Sequence, residues 1–365
     1  MIILDEKGWM CMKKPERIFV IGHKNPDTDS ICSAIAYADI KNRTTQNKKY
    51  IPKRAGQINE ETRYVLNRFG VQPPAYLGNI GTQVKDMDIR TSPQADKNMS
   101  LKNTWDLMQE NGIVSLPIRD KDGCLEGLVT IGDIAKTYMD TTDSYLLSNA
   151  RTQYQRIAET VGGEVVEGNG HGYFVKGRVL VGTANPKMLE GYVEEDDMII
   201  MGDREEDHLQ AISQNVSCII VGLNIVVSEK VIKLAHEKNI VIIRSPYDTF
   251  NIARLINQSI PVSFVMKRDN MVTFNTEDFT DDIQDVMVKN RHRAFPVINP
   301  HGKCIGTISR RNFLDMHKKK VVLVDHNEVD QAVDNIEKAE ILEIIDHHKL
   351  GTLQTMTPVA FRNEP

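Results

Sequence analysis

Two stretches of this chain, residues 101–133 and 280–312, superpose at a constant offset of 179 residues without a gap. Leu107-Met108 matches Val286-Met287, and Asn111 matches Asn290. Leu116-Pro117-Ile118 matches Phe295-Pro296-Val297, Gly123 and Gly127 match Gly302 and Gly306, and Thr130 matches Ser309. Each copy reads helix, strand with proline, glycine turn, strand, then a polar turn opening a helix. That ungapped agreement marks an internal duplication. Of the residues between the copies, about 120 have their own alternation of elements. A helix at 151–161 and a Gly-rich turn (GGEVVEGNGHG) come first. Strands near 179–183 and 198–201, a helix at 206–214, CIIVGL, a helix ending in AHEKN, and IVIIRSP follow. This is an α/β unit large enough to be a separate domain.

The flanks of the duplication carry three apolar strands. RIFVIGH (17–23) leads into NPDTDS, which supplies turn chemistry with Ser30 as N-cap, and Ile31, Ala34, Ile35 and Ala38 then fall on one helical face. A second helix spans Glu60–Phe69 and is ended by Pro73-Pro74. Beyond the second copy, KKKVVLVDHNE forms a buried strand ending in Asp325-His326, a helical segment follows, and ILEIIDHH (341–348) is the third strand. Apolar strands that each terminate in Asp or His fit a parallel sheet whose ligands gather at its C-terminal edge. The fold class is therefore α/β, a parallel-sheet domain interrupted by the duplicated pair and the α/β unit between its copies.

Length and charge exclude several function classes. A chain of 365 residues holds two to four domains. It has no run of about twenty apolar residues, so no membrane span is available. The opening MIILDEKGWMCMKK lacks the form of a secretory signal. A net charge of -5 gives no nucleic-acid surface, so phosphate binding must come from local charge. Five cysteines (Cys11, Cys32, Cys124, Cys218, Cys304) are scattered, odd in number and without a CxxC pair, which reads as reduced thiols in the cytoplasm.

The chemistry concentrates at the strand ends. In GHKNPDTDSI, two aspartates at i and i+2 on a tight loop point in different directions and can serve two cations. His23, four positions before Asp27, can share the first of these. Asp325 and the Asp346-His347-His348 run add carboxylate and imidazole groups at the other strand ends. This mixed oxygen and nitrogen set suits Mn2+ or Co2+ better than an all-oxygen Mg2+ cage, with Mg2+ a further candidate. Two such ions bind a phosphate oxygen and lower the pKa of a bridging water.

The three clusters resemble those of the DHH phosphoesterase superfamily, and specifically the family II inorganic pyrophosphatases. GHKNPDTDSICSAIAYADIK, RAGQINEETRYVL, VVLVDHNE and ILEIIDHH all fit that family. The repeat resembles a pair of CBS domains and the intervening unit a DRTGG domain, the arrangement of nucleotide-regulated pyrophosphatases. The resemblance divides the chain into a first DHH part (1–80), CBS repeat 1 (81–142), the DRTGG domain (143–258), CBS repeat 2 (259–318) and a second DHH part (319–365). It implies that His23 and Asp27 hold one metal, that Asp29 and His347 hold the other, and that Asp325 bridges them. His348 then faces pyrophosphate as proton donor or phosphate ligand, Asn25 supports the site from the loop, Asp346 stands behind the ligands, and His326 has a substrate or a structural role. In the family, a further ligand aspartate and a C-terminal DHHA2 domain follow. The chain stops at VAFRNEP and so reads as truncated. Two alternatives stand beside the pyrophosphatase reading: an adenine-nucleotide sensor with a vestigial metal site, and another DHH-family phosphodiesterase.

For the CBS pair, the resemblance implies a Thr/Ser-x-x-Asp turn that holds ribose and phosphate. Thr130 and Asp133 match it, whereas the second copy has Ser309 with Asn312 in place of aspartate. Arg310 and Arg311 open a helix there, where cations and backbone N–H groups favour phosphate. Arg291 and Arg293 add phosphate or stacking contacts. The implied regulators are AMP or ADP as inhibitors and ATP or diadenosine polyphosphates as activators, acting on a homodimer. Asp203-Arg204 resembles a DRTGG signature with a structural role, and GNGHG (168–172) reads as a turn.

Overall fold

The computed structural model describes residues 16–139, 143–182, 191–314, 316, 318–351, 354–355 and 358–363, with two short strands at Ile3–Leu4 and Met10–Cys11. The Cys11 side chain lies outside the described residues. The chain forms two compact units. One comprises Met1–Asp88, Thr276–Arg291 and Arg310–Pro365; the other comprises Ile89–Asn275 and His292–Ser309.

In the first unit the chain runs through β1 (Glu16–Ile21), α1 (Thr28–Thr44), β2 (Lys48–Arg54), α2 (Glu60–Arg68) and β3 (Ala75–Tyr76). The N-cap of α1 is Asp27 and not Ser30: Asp27 Oδ1 accepts the Ser30 N–H at 2.9 Å. Ser30 is fully buried in the first turn, and its Oγ accepts the His23 N–H at 3.0 Å. Likewise α2 ends at Arg68 ahead of the prolines, because Gly70 takes a left-handed backbone (φ 68°) that breaks the helix.

The second unit opens with α3 (Leu101–Glu110), β4 (Ser115–Arg119), β5 (Leu125–Thr130) and α4 (Ile131–Met139). It continues with α5 (Tyr154–Thr160), β6 (Glu164–Glu167), β7 (Val179–Val181), β8 (Met198–Met201) and α6 (Glu205–Ser213). Then come β9 (Cys218–Val221), α7 (Glu229–Glu237), β10 (Val241–Arg244) and β11 (Phe274–Asn275). Strands β7-β8-β9-β10 are parallel in that order, and β6 closes the edge antiparallel to β10. That edge strand falls inside the stretch read from sequence as a Gly-rich turn. Gly163 permits it, since a Cβ there would lie 2.1 Å from Arg244 O. One core joins alternate residues of this sheet (Met198, Ile200, Ile220, Ile243) to the first repeat through Leu116, Ile118 and Val129.

The duplication is visible residue by residue. The counterpart of α3 in the second copy is α8 (Thr280–Lys289), which belongs to the first unit and lies 179 residues on from α3. The second unit regains the chain for β12 (Phe295–Ile298) and β13 (Cys304–Ile308). At the hairpin turns, Asp120 Oδ1 accepts from the N–H groups of Asp122 and Cys124, and Asn299 Oδ1 does the same for His301 and Lys303. The copies differ after the second strand. The first has the α-helix α4, whereas residues Arg310–Phe313 form only a four-residue 3-10 turn, not the helix opening expected there. In the first copy Thr130 N and Oγ1 both donate to Asp133 Oδ2 (2.9 and 2.6 Å), and Asp133 N–H donates back to Thr130 Oγ1 (3.3 Å). In the second copy Asn312 turns its amide to Asp88 O at 2.6 Å instead.

The first unit is completed by β14 (Lys320–Val324), β15 (Glu340–Asp346) and β16 (Ala360–Asn363). Between β14 and β15 the expected helical segment is two short 3-10 turns, interrupted by Asn335 at φ 62°. Ala332, Val333 and Ile336 of this segment are buried and cover one sheet face with Ile21, Val321 and Leu323, while α1 covers the other through Ala34 and Ala38. The sheet order is β16-β15-β14-β1-β2-β3, all parallel. Chain order reverses between β14 and β1, so the loops after these two central strands diverge around a crevice at their C-terminal ends. Among the described residues no helix is long and apolar enough to cross a membrane.

Candidate metal centre

That crevice is where the acidic and imidazole groups meet. His23 leaves β1, Asp325 leaves β14, and Asp346-His347-His348 leaves β15. Nε2 of His23 is 3.3 Å from Asp325 Oδ2 and 3.8 Å from Asp27 Oδ1. On the other side, His348 Nδ1 is 3.8 Å from Asp325 Oδ1, and His347 Nδ1 is 3.9 Å from Asp29 Oδ2. Ligand atoms of His23, Asp27 and Asp325 all lie within 4.8 Å of one another, and so do those of Asp325, His347 and His348. Asp325 thus belongs to both groups and offers a different oxygen to each. Asn25 is exposed on the loop between His23 and Asp27.

The electrostatics show a site short of positive charge. Asp325 is 6% exposed, has a left-handed backbone (φ 61°), and its buried Oδ2 accepts no hydrogen bond. Burial and then the neighbouring Asp29 and Asp27 carboxylates push its pKa up, against the opposing pull of His23 and His348. A divalent cation supplies the counter-charge such a cluster lacks, and the O/N donor set fits Mn2+ or Co2+. Behind the ligands, Asp346 is buried and its Oδ1 accepts from the His347 N–H (2.8 Å), the His348 N–H (3.1 Å) and His348 Nδ1 (2.7 Å). Burial pushes the Asp346 carboxyl up, but these donors and the Asn327 amide outweigh it and hold it below the usual range. The same bond to Asp346 raises the His348 pKa and leaves Nε2 as that ring's available nitrogen.

His326 is fully buried, with Nδ1 at 2.9 Å from Val324 O and its ring edge-on to His23 at 6.4 Å. Burial lowers its pKa to about 4, so it is a neutral ring packed beneath the site. The sequence does not mark Asn327 as part of the site. It lies in VDHNE, but nothing in the spacing shows that its amide reaches Asp346 and Lys349 O.

In the second unit, Asp133 lines a cavity of about 390 Å3 with Lys136, Thr137, Phe264 and Lys267, and Lys267 Nζ lies 3.6 Å from its Oδ1. Arg293 is exposed and Ser309 half-buried in that unit; Arg291 and Arg311 are exposed in the first. Arg310 does not open an α-helix toward phosphate. Its Nε donates to Met287 O at 3.0 Å and its Nη2 to Met287 O and Asn290 O, closing the C-terminal turn of α8. Arg204 of the DRTGG-like signature pairs with buried Asp207 at 2.8 Å, at the start of α6.

Comparison with known proteins places these features together. The CBS domain family matches residues 84–140 and 262–319, and the DRTGG domain family matches 156–259. A cobalt-dependent inorganic pyrophosphatase of Clostridium perfringens is 39% identical over 348 residues, 95% of this chain and 63% of its own length. A probable manganese-dependent inorganic pyrophosphatase of Thermotoga maritima is 37% identical over 354 residues, 97% of this chain and 64% of its own. The chain therefore spans just under two thirds of the length of these relatives. Among solved structures, the CBS and DRTGG domains of the regulatory region of Clostridium perfringens pyrophosphatase, complexed with the activator diadenosine tetraphosphate, match at a TM-score of 0.60 and 32% identity. That match covers 63% of this chain and 100% of the other. Similar along nearly its whole length to these pyrophosphatases, and across the full extent of the solved regulatory region, the chain belongs to the proteins that carry a pair of CBS domains around a DRTGG domain.

Proposed function

We propose that the chain hydrolyses inorganic pyrophosphate at the crevice between β1 and β14, under control of adenine nucleotides bound to its CBS repeats. The observation that carries this reading is Asp325, a buried carboxylate shared by two ligand groups that each contain imidazole. His23, Asp27 and Asp325 would hold one Mn2+ or Co2+, and Asp29, His347 and Asp325 the other. When bound, such a pair supplies Lewis acidity toward phosphate oxygens and a water of lowered pKa. The chain's own groups do the rest. Asp346 fixes the His348 ring and favours its protonated form, so Nε2 can meet a phosphate oxygen and give a proton to the departing phosphate. Asp27 caps α1 and thereby holds the ligand loop against the helix.

For regulation, the cavity beside Asp133 combines a carboxylate for ribose, Lys136 and Lys267 for phosphate, and the exposed Phe264 ring for a base. The activator in the related structure, diadenosine tetraphosphate, carries all three chemistries. The test has two parts. Equilibrium dialysis should find two Co2+ per chain in the wild type, and loss of the pair in Asp325→Asn, since that carboxylate serves both ions. Phosphate release from pyrophosphate should require Co2+ or Mn2+ and vanish in the same variant. Two ions bound normally by Asp325→Asn would remove Asp325 as the bridge. Ion binding without any phosphate release would refute hydrolysis by this chain.

A further inference from the structure

The loop after β14 carries Asp325, the loop after β15 carries His347 and His348, and one side chain joins them. Asn327, 4% exposed, donates its Nδ2 protons to Asp346 Oδ2 and to Lys349 O (3.0 Å), while its Oδ1 accepts the Gly351 N–H. Both amide protons are used, and a flipped amide would set its oxygen against the Asp346 carboxylate, so the orientation is determined by its partners. Asp346 passes the constraint on, because its other oxygen receives the backbone of both histidines and the His348 ring. Two residues before Asn327, the Asp325 N–H donates to Ile345 O at 2.9 Å and extends the β14–β15 ladder to the ligand itself. The two loops are therefore bound together at the backbone on one side of the ligands and through Asn327 on the other.

We infer that Asn327 is a positioning residue for the two-ion centre. By tying Asp346 and the 349–351 turn to the Asp325 loop, it sets the spacing between the bridging carboxylate and the two histidines. The inference rests on the metal-centre reading above. It has no need of Asn327 as a ligand, since both of its amide protons and its oxygen are engaged elsewhere.

Co2+ titration of the whole chain, followed by equilibrium dialysis and by the visible absorption of the bound ion, tests this. Asn327→Ala removes every link made by that side chain, whereas Asn327→Asp keeps the shape and the Gly351 acceptor but sets a carboxylate against Asp346. Tyr37→Phe serves as the control: it removes the Tyr37–Glu343 hydrogen bond between α1 and the same sheet, away from the ligands. Both Asn327 variants should bind the weaker ion about 10–100-fold less tightly and change the visible bands. Tyr37→Phe should lower the melting temperature and leave affinity and bands alone. Asn327 variants that melt lower but bind two Co2+ with wild-type affinity and bands would overturn the inference. A wild-type chain that binds no Co2+ would instead overturn the metal-centre reading beneath it.

Discussion

Gly22 stands where β1 turns into the ligand loop, and the structure leaves it no room for a side chain. A Cβ there would lie 2.0 Å from Ser30 Oγ, 2.9 Å from Ser30 O and 3.1 Å from Ser30 Cβ. Ser30 is fully buried and its Oγ accepts the His23 N–H, so this contact fixes how His23 leaves the strand relative to α1. Gly22→Ala must rotate Ser30 away, losing that bond, or push the strand end off the helix. Overpacking of this kind costs about 1–3 kcal/mol, and a buried N–H without a partner costs about as much. Each route relieves part of the other, so we expect about 2–4 kcal/mol in total rather than the full sum. At about 2–4 °C per kcal/mol for a unit of this size, the metal-free melting temperature should fall by roughly 5–15 °C. Ser30→Ala alone loses only the acceptor and should cost about 1–2 kcal/mol. In the double variant the 2.0 Å clash disappears with the hydroxyl, leaving the 2.9 Å approach to the carbonyl. Its loss should therefore fall short of the sum of the singles by about 1 kcal/mol or more. Urea unfolding of the two singles and the double gives the cycle. A Gly22→Ala chain as stable as wild type, or strictly additive losses, would refute the reasoning.

Three further outcomes are expected. His326 is buried neutral with a pKa lowered to about 4, so the unfolded chain binds a proton that the folded chain excludes. Stability of the metal-free chain should then fall as pH drops from about 6.5 toward 4, by up to about 3 kcal/mol, and His326→Gln should flatten that slope in urea unfolding. Arg310→Ala should lower stability by about 1 kcal/mol through loss of the α8 C-terminal cap, while AMP affinity by dialysis stays within about twofold. Asp133→Ala should weaken AMP about 10–100-fold, the worth of a hydrogen bond to a charged group, and unchanged affinity would remove it from the nucleotide site.

The sequence made some parts of this molecule legible because they are written in local chemistry. The helices of the two repeats begin and end 179 residues apart, as read from Asn111 and Asn290, whose side chains each donate back to a carbonyl one turn earlier. The strand end bearing Asp325 could be read in the same way, because an unbroken apolar run such as VVLV is what a parallel strand buried on both faces requires. Elements governed by distant partners are not legible in this way. Ser30 looks like a cap, but Gly22 draws it into the core, and the cap falls to Asp27. The residues after Asp325 have helical composition but form 3-10 turns, because Ala332, Val333 and Ile336 must cover the sheet. Arg310 looks like a phosphate ligand until the α8 carbonyls are seen to accept from it. Nor does any spacing rule connect Asn327 with Asp346, since the pairing exists only once β14 and β15 lie side by side.

The position of the CBS and DRTGG domains in the chain follows from the same topology. In the sheet order β16-β15-β14-β1-β2-β3, the chain must return from β3 at one edge to β14 at the centre, beside β1. Parallel strands demand a crossover of a dozen or more residues there in any case. Loop-closure entropy grows only with the logarithm of length, so a crossover hundreds of residues long costs little more than a short one. It costs less still when the inserted residues fold around their own core, as Ile118, Val129, Ile200 and Ile220 do. The strand that receives the chain after this crossover is β14, whose C-terminal end bears Asp325, the carboxylate shared by both ligand groups. A region inserted at this connection is thus joined, through the five residues of one central strand, to the carboxylate on which the proposed two-ion centre depends.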